Sequence, residues 1–248
     1  MQKVPTNYAH PVRVLELFAG SRSFGKVCDQ MGIPVFSCDL EAFPGIDHVG
    51  DFLHMRHKDL PWRPTLIVAG VPCTSYSICG IRHHRDGINP KSKTAAIADR
   101  LVKKTIGWAS FYGCRFVIEN PVGMLRHMPF MKGLDRRTVT YCSYGDRRMK
   151  PTDLWSNMFR NLWDPYGLEL APACHNGNPH CHHDRQPRSY AARKALGVEK
   201  LGTSGMKNAY ERSIYPPALV HAIMDHTVQV ITHPTSPAPS WIPKTPTT

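Results

Sequence analysis

Cys73 lies in Val71-Pro72-Cys73-Thr74-Ser75-Tyr76-Ser77, directly after the apolar run 65–69 (TLIVA), so a rigid turn puts a thiol at a strand's end and not within it. A cysteine placed there opens into a cleft and can act as a nucleophile where positive charge or amide dipoles favour its thiolate. Further along, the run 115–118 (RFVI) closes at Glu119-Asn120-Pro121. A carboxylate leaving so buried a strand is expected to hold or share a proton near neutrality, and Pro121 fixes the backbone that carries Asn120. The plainer alternative is a solvated strand-end acid.

Three more polar stations share this placement. Phe18-Ala19-Gly20-Ser21-Arg22-Ser23 follows the run 13–18 (RVLELF). A tight turn of small residues ahead of a helix N-terminus suits a nucleotide-like cofactor, although the three-glycine dinucleotide fingerprint is absent. Asp39 ends the next strand, 34–39, where an acid grips ribose hydroxyls; Asp51, in VGDFL, lies on the same edge and reads equally well as an N-cap before FLHMR. The last station, Tyr144-Gly145-Asp146-Arg147-Arg148-Met149-Lys150-Pro151-Thr152, is a basic loop that could meet phosphates or a base edge, or be a surface turn.

The elements that must position these residues alternate. Strands are expected at 13–18, 34–39, 65–69, 115–118 and 138–144, with helices at 24–31, ending at Gly32, at 95–112, and at 218–230 after Tyr215-Pro216-Pro217. Strands alternating with helices give an α/β fold with a parallel, doubly wound sheet and ligands at the strands' carboxyl ends. Residues 156–211 are rich in Asn, Pro, His and Arg with little periodicity, which suggests a loop-rich insertion. The Pro-rich segment 233–248 reads as an extended tail.

Composition sets the outer limits. With 248 residues and 42% hydrophobic content the chain can bury a sizeable core, which excludes a wholly disordered protein. No apolar run approaches a membrane span and the N-terminus has no apolar signal core, so a soluble, cytoplasmic protein without a membrane partner is expected. Thirty-one Lys and Arg against nineteen Asp and Glu give a net charge of +12, the bias of a protein that meets nucleic acid or of a basic solvated surface. The eight cysteines are expected to be reduced: one reactive, about two on metal, the rest in the core.

Taken in order, the stations resemble the DNA cytosine-C5 methyltransferase family. LELFAGS is similar to its first motif, Asp39 to its ribose-binding acid, GDF to its third motif, VPCTSYS to its PCxxxS motif, ENP to its ENV motif, and YGDRRMKPT to its basic motif; IYPPALVHAI is similar to its last. The short length, KPTDLW and CHH resemble the compact enzymes of bacteriophages. The likeness implies a Rossmann-like sheet that binds S-adenosylmethionine at Phe18, Gly20, Ser21, Asp39, Asp51 and Pro72. It makes Cys73 the nucleophile and Glu119 the acid facing the base, with Ser77, Asn120, Arg148, Lys150 and Thr152 on a DNA substrate. A catalytic domain would then comprise 12–155 with 212–232, and 156–211 a small DNA-contacting subdomain. The chain departs from the family at Arg22-Ser23, where glycines are usual, and at Lys150 and Thr152, where typical members carry arginines. The competing readings are a non-catalytic DNA-binding protein on the same fold, a related pyrimidine-C5 enzyme with another donor or a nucleotide substrate, and a nicotinamide enzyme that the missing fingerprint disfavours.

Residues 174–183 hold two Cys and four His among turn-forming Gly and Pro. Thiolate and imidazole are the ligands zinc prefers, and Cys174, His175, Cys181 and His182 form one candidate set. A DNA-contacting loop is the alternative, with Arg185, Arg188, Arg193 and Lys194 facing the duplex.

Overall fold

The structure, a computed structural model, describes residues 10–159, 167–175, 178–183, 195 and 209–232. The expected tail 233–248, Arg185, Arg188, Arg193 and Lys194, and most of 156–211 lie outside the described residues.

Seven strands form one sheet: β1 (Val14–Leu17), β2 (Val35–Asp39), β3 (His48–Val49), β4 (Leu66–Gly70), β7 (Arg115–Pro121), β8 (Arg136–Thr140) and β9 (Pro151–Ser156), in the order β3-β2-β1-β4-β7-β9-β8. A hairpin, β5 (Arg85–Asp86) with β6 (Asn89–Pro90), stands apart. The helices are α1 (Ser23–Met31), a short α2 (Ile81–His84), α3 (Lys93–Tyr112), a single turn α4 (Ala209–Arg212) and α5 (Pro217–Thr232). None of the described helices is long and apolar enough to cross a membrane.

The central strands are apolar on both faces, as a sheet covered by helices on each side requires. Leu15, Leu17, Ile67, Ala69, Phe116 and Ile118 face a core built with α3, including Ala98, Val102 and Trp108. Val14, Leu66, Val68 and Val117 face the opposite core, with Phe24 and Val27 of α1 and Leu219, Val220, Ile223 and Met224 of α5. This is strand alternation with both sides buried, and it fixes the register of every strand end that carries a site residue. Helix limits follow local chemistry. The Ser92 side chain accepts the Ala95 amide at the start of α3, and Gly113 closes that helix at φ +59°.

The expectation of a parallel sheet holds for β3-β2-β1-β4-β7 and fails at the other edge. There β9 runs antiparallel to both β7 and β8. The expected strand 138–144 stops at Thr140, and Tyr141–Tyr144 form a 3-10 turn. The link 141–150 is shorter than the dozen or more residues that a parallel crossover needs, so the chain must return antiparallel. The basic loop expected over 144–152 covers only the start of the strand the chain returns as, β9. Its residue Asp153 is fully buried, and Arg126 (2.7 and 2.9 Å) and Thr138 (2.7 Å) donate hydrogen bonds to it. A buried carboxylate with that many donors pins the edge strand in place.

Candidate active site

The order of strands reverses between β1, whose chain continues outward to β2, and β4, which continues through α3 to β7. The crevice above that switch point is where doubly wound sheets bind ligands. Phe18-Gly20, Asp39, Cys73 and Glu119 all leave the carboxyl ends of the strands around it.

On the β1–β2 side, Phe18 has φ +56° and packs edge-on against Phe52 at 5.7 Å. Gly20, φ +49°, donates its amide to Asp39 Oδ2 at 2.8 Å, and Asp39 Oδ1 accepts the Glu41 amide at 3.0 Å. A Cβ at position 20 would come within 2.4 Å of Ser213 Oγ, so the turn is closed over by the segment leading into α5. The same Ser213 hydroxyl accepts the Ser21 amide at 2.8 Å, while Ser21 Oγ and Ser23 Oγ share a hydrogen bond of 2.9 Å. Ser21 is buried, so its role is to close the turn. Asp51 Oδ1 accepts the Leu53 amide at 2.8 Å and closes a turn, while no helix starts at Phe52 as the N-cap reading expected.

Arg22, the departure from the glycines of similar first motifs, does not obstruct the crevice. It takes φ +58°, lays its side chain across Gly25 and Gly45, and forks onto Asp29 at 2.5 and 3.1 Å. A Cβ on Gly25 would sit 2.5 Å from Arg22 Cγ. Beneath this turn Glu16, 3% exposed on β1, accepts the amides of Phe24 (3.0 Å) and Gly25 (3.1 Å) and the Ser37 hydroxyl (2.7 Å). Burial pushes its carboxyl up from 4.5 to about 7. Glu16 thus caps α1 from inside the sheet, a role its place in an apolar strand concealed from sequence reasoning.

On the β4–β7 side, Glu119 pairs in register with Gly70, three residues before Cys73. Cys73 is half-buried and Pro72 exposed, as a thiol at the crevice mouth requires. Burial and the neighbouring Glu119 charge push the thiol upward, while Lys150 and Arg212 act the other way. Cys28, Cys38 and Cys114 are buried in the core, and all eight cysteines are free thiols. Asn120 is fully buried and donates Nδ2 to the Val71 carbonyl at 3.0 Å, binding the end of β7 to the turn that carries Cys73. That makes it a positioning residue for the thiol in this structure.

Glu119 is 7% exposed and held from three directions. Tyr215 donates its hydroxyl to Oε2 at 3.1 Å, Tyr141 donates to Oε1 at 3.3 Å, and Lys150 Nζ lies 3.6 Å from Oε1. Burial drives both phenols well above their usual range, so they remain neutral donors. Tyr215 reaches Glu119 past Gly70, where a Cβ would stand 2.6 Å from the phenol oxygen. Sequence reading singled out neither tyrosine for the site: Tyr215 served only to introduce the last helix, and Tyr141 was assigned to a strand.

The turn after Cys73 is anchored by a buried trio. Arg85 pairs with Asp99 at 2.5 Å, lies 4.4 Å over the Tyr76 ring, and donates to the Ser75 carbonyl at 3.0 Å; the Tyr76 hydroxyl donates to Asp99 at 2.7 Å. Asp99 on the buried face of α3 was the available signal for this network.

The basic-loop residues, and Ser77 after Cys73, are engaged within the protein. Thr152 is fully buried in β9 and donates to the Lys150 carbonyl at 3.1 Å, so in this structure it braces the sheet. Arg148 forks onto Asp146, donates to the Ile214 carbonyl at 3.1 Å and covers the Tyr141 ring. Ser77 Oγ donates to the Thr74 carbonyl at 3.3 Å and accepts the Gly80 amide at 3.1 Å, closing its own turn. Lys150 alone of these points at the acid.

The metal set also changes. Cys142, Cys174, Cys181 and His183 bring their ligand atoms within 4.8 Å of one another, whereas His175 and His182 are not in that group. Cys142 follows β8 and was hidden among the cysteines assigned to the core.

No protein-family profile matches the chain. It is 26% identical over 226 residues to a probable DNA (cytosine-5)-methyltransferase of Frog virus 3 (isolate Goorha), covering 86% of this chain and 99% of that protein. Among solved structures it is similar to a DNMT2 mutant of Spodoptera frugiperda (12% identity, TM-score 0.38, 58% of this chain and 49%, about half, of that one). It is also similar to the methyltransferase EhMeth of Entamoeba histolytica (10% identity, TM-score 0.49, 87% and 97%). The likeness to the viral protein runs nearly end to end along both chains.

Proposed function

We propose that the chain transfers a methyl group from S-adenosylmethionine to C5 of cytosine in DNA by way of a covalent bond between Cys73 and C6. The observation that supports this best is the pairing of Cys73 and Glu119 on adjacent strand ends at the switch point, with Glu119 held by Tyr141, Tyr215 and Lys150.

The residues at the β1–β2 edge fit the donor. Asp39 keeps lone pairs free beyond its two backbone bonds, enough to accept ribose hydroxyls, and the Phe18–Ser21 turn presents small residues and an aromatic ring. When bound, the cofactor supplies an electrophilic methyl group on a sulfonium.

The chain's own residues do the rest. Cytosine C5 is a poor nucleophile until a thiolate adds at C6. Cys73 loses its proton to water, its sulfur bonds to C6, and the displaced electron pair makes C5 enamine-like while negative charge moves toward N3. Glu119, fixed on three sides, has to carry a proton into this step and donates it in a hydrogen bond to N3, where the charge collects. C5 then takes the methyl group; loss of its own proton to water returns the electron pair and breaks the C6–S bond. Because these atoms are stacked inside a duplex, the base must be flipped into the crevice, at a cost of a few kcal/mol. The net charge of +12 supplies backbone attraction to offset it, and binding should weaken with salt.

Incubation with cytosine-containing duplex and S-adenosylmethionine, followed by nucleoside mass spectrometry, tests this. We expect 5-methylcytosine from the parent and at least a 1,000-fold loss in Cys73→Ala, on the scale of removing a covalent nucleophile. DNA bound without any modified cytosine would favour the non-catalytic reading.

A further inference from the structure

We infer that Cys142, Cys174, Cys181 and His183 bind one zinc ion in a closed, structural site that fastens the segment 171–183 to the turn after β8.

Three thiols and an imidazole, drawn from two separate stretches of chain, meet with all ligand atoms within 4.8 Å. The distance from Cys174 Sγ to His183 Nδ1 is 3.8 Å. In a zinc tetrahedron with Zn–S of about 2.3 Å and Zn–N of about 2.0 Å, the S···N separation is about 3.5 Å and S···S about 3.8 Å. The four groups therefore stand within a small inward adjustment of ligating geometry.

A second observation points the same way. His183 is 4% exposed and its Nε2 has no hydrogen-bond partner. Burying an imidazole in that condition is costly unless the ring makes a strong bond elsewhere, and Nδ1 faces the thiols. The surroundings suit thiolates too. Asn178 Nδ2 donates to Cys174 Sγ at 3.3 Å, and the Cys174 amide is held by Thr140 Oγ1 at 2.8 Å. Such outer contacts orient metal ligands.

Four protein ligands leave no open position, which makes the site structural. Binding displaces three thiol protons and leaves zinc with three thiolates and a neutral imidazole, at a net charge of −1. Its mechanical effect is local: Ser143 Oγ already donates to the Pro172 carbonyl at 2.9 Å and the Ala171 amide to Tyr144 at 2.9 Å. Zinc would lock this seam one residue from Tyr141, whose hydroxyl reaches Glu119.

Metal content tests the site without reference to methyl transfer. The full chain, purified without chelator, should carry close to one zinc by mass spectrometry of the elements. Cobalt exchanged in its place should give thiolate-to-metal charge transfer and tetrahedral ligand-field bands. Cys142→Ser, Cys181→Ser and His183→Ala should each weaken zinc retention by about tenfold or more, while His175→Ala and His182→Ala retain it. A parent chain that takes up neither metal would overturn the proposal, as would a disulfide joining two of the three cysteines in the freshly purified protein. Loss of zinc in the His175 or His182 variants would overturn the ligand set.

Discussion

The parallel half of the sheet and its antiparallel edge use polar residues in opposite ways. At the ends of β1, β2, β4 and β7 the chain offers Phe18, Asp39, Cys73 and Glu119 to one crevice. The supporting contacts come from behind, through Glu16, Asn120 and the Arg85–Asp99–Tyr76 trio. At β8 and β9 the polar residues are spent on the fold itself: Thr152 on the Lys150 carbonyl, Asp153 on Arg126 and Thr138, Arg148 on Asp146. A parallel strand ends in a loop free to face a ligand, whereas a short antiparallel return turns its polar groups toward its own neighbours. The lesson is that a residue's match to a motif says less about its role than the direction of the strand that carries it.

Three experiments would break or sharpen that contrast. The largest effect is expected at Glu16. Its folded carboxyl lies near 7 against an ordinary 4.5, so the native state holds a proton that the unfolded chain gives up. The stability this contributes is fully present below about pH 4.5 and lost by about pH 7, up to about 3 kcal/mol. Glu16→Gln should flatten the fall in urea midpoint between pH 5 and pH 7.5; an unchanged slope would mean the carboxylate is as comfortable inside as in water.

Lys150 is the one basic-loop residue aimed at the crevice, and its charge lowers the Cys73 thiol against burial and Glu119. In Lys150→Met the rising limb of the pH–rate profile should move to higher pH, with activity at pH 7 down by about tenfold and recovering as pH rises. A uniform loss at all pH values would assign Lys150 a role in binding alone. Thr152 lies on the bracing side of the divide. Thr152→Val should cost about 1 kcal/mol of stability while DNA affinity and its salt slope stay within twofold. A clear loss of affinity would return Thr152 to the DNA-facing surface.

The strand ends were legible because buried parallel strands are short apolar runs that stop abruptly: β2, β4 and β7 stop at Asp39, Gly70 and Pro121, and β1 stops at Leu17 just ahead of the Phe18–Gly20 turn. Cys73 and Glu119 could be found by that rule alone. Tyr141 and Tyr215 could not, because each reaches Glu119 from a distant part of the chain and nothing in its neighbours signals a carboxylate partner. The same limit explains the metal ligands. Local spacing offered Cys174, His175, Cys181 and His182, but the turn geometry brings His183 inward and long-range pairing adds Cys142. β9 was missed because Lys-Pro-Thr-Asp is a turn-like sequence; the burial of Thr152 and Asp153 between two strands overrides it.

Arg22 imposes an order on change. Its stem fills the space above Gly25 and reaches over Gly45, so a side chain at position 25 drives the guanidinium off Asp29. A lineage that first shortens residue 22 opens position 25 to alanine or serine, whereas one that alters position 25 first must pass through an intermediate with a displaced arginine; either route takes that arginine off Asp29. The two positions are free to drift only in that sequence, and their histories are tied by geometry without any contact to the reacting groups.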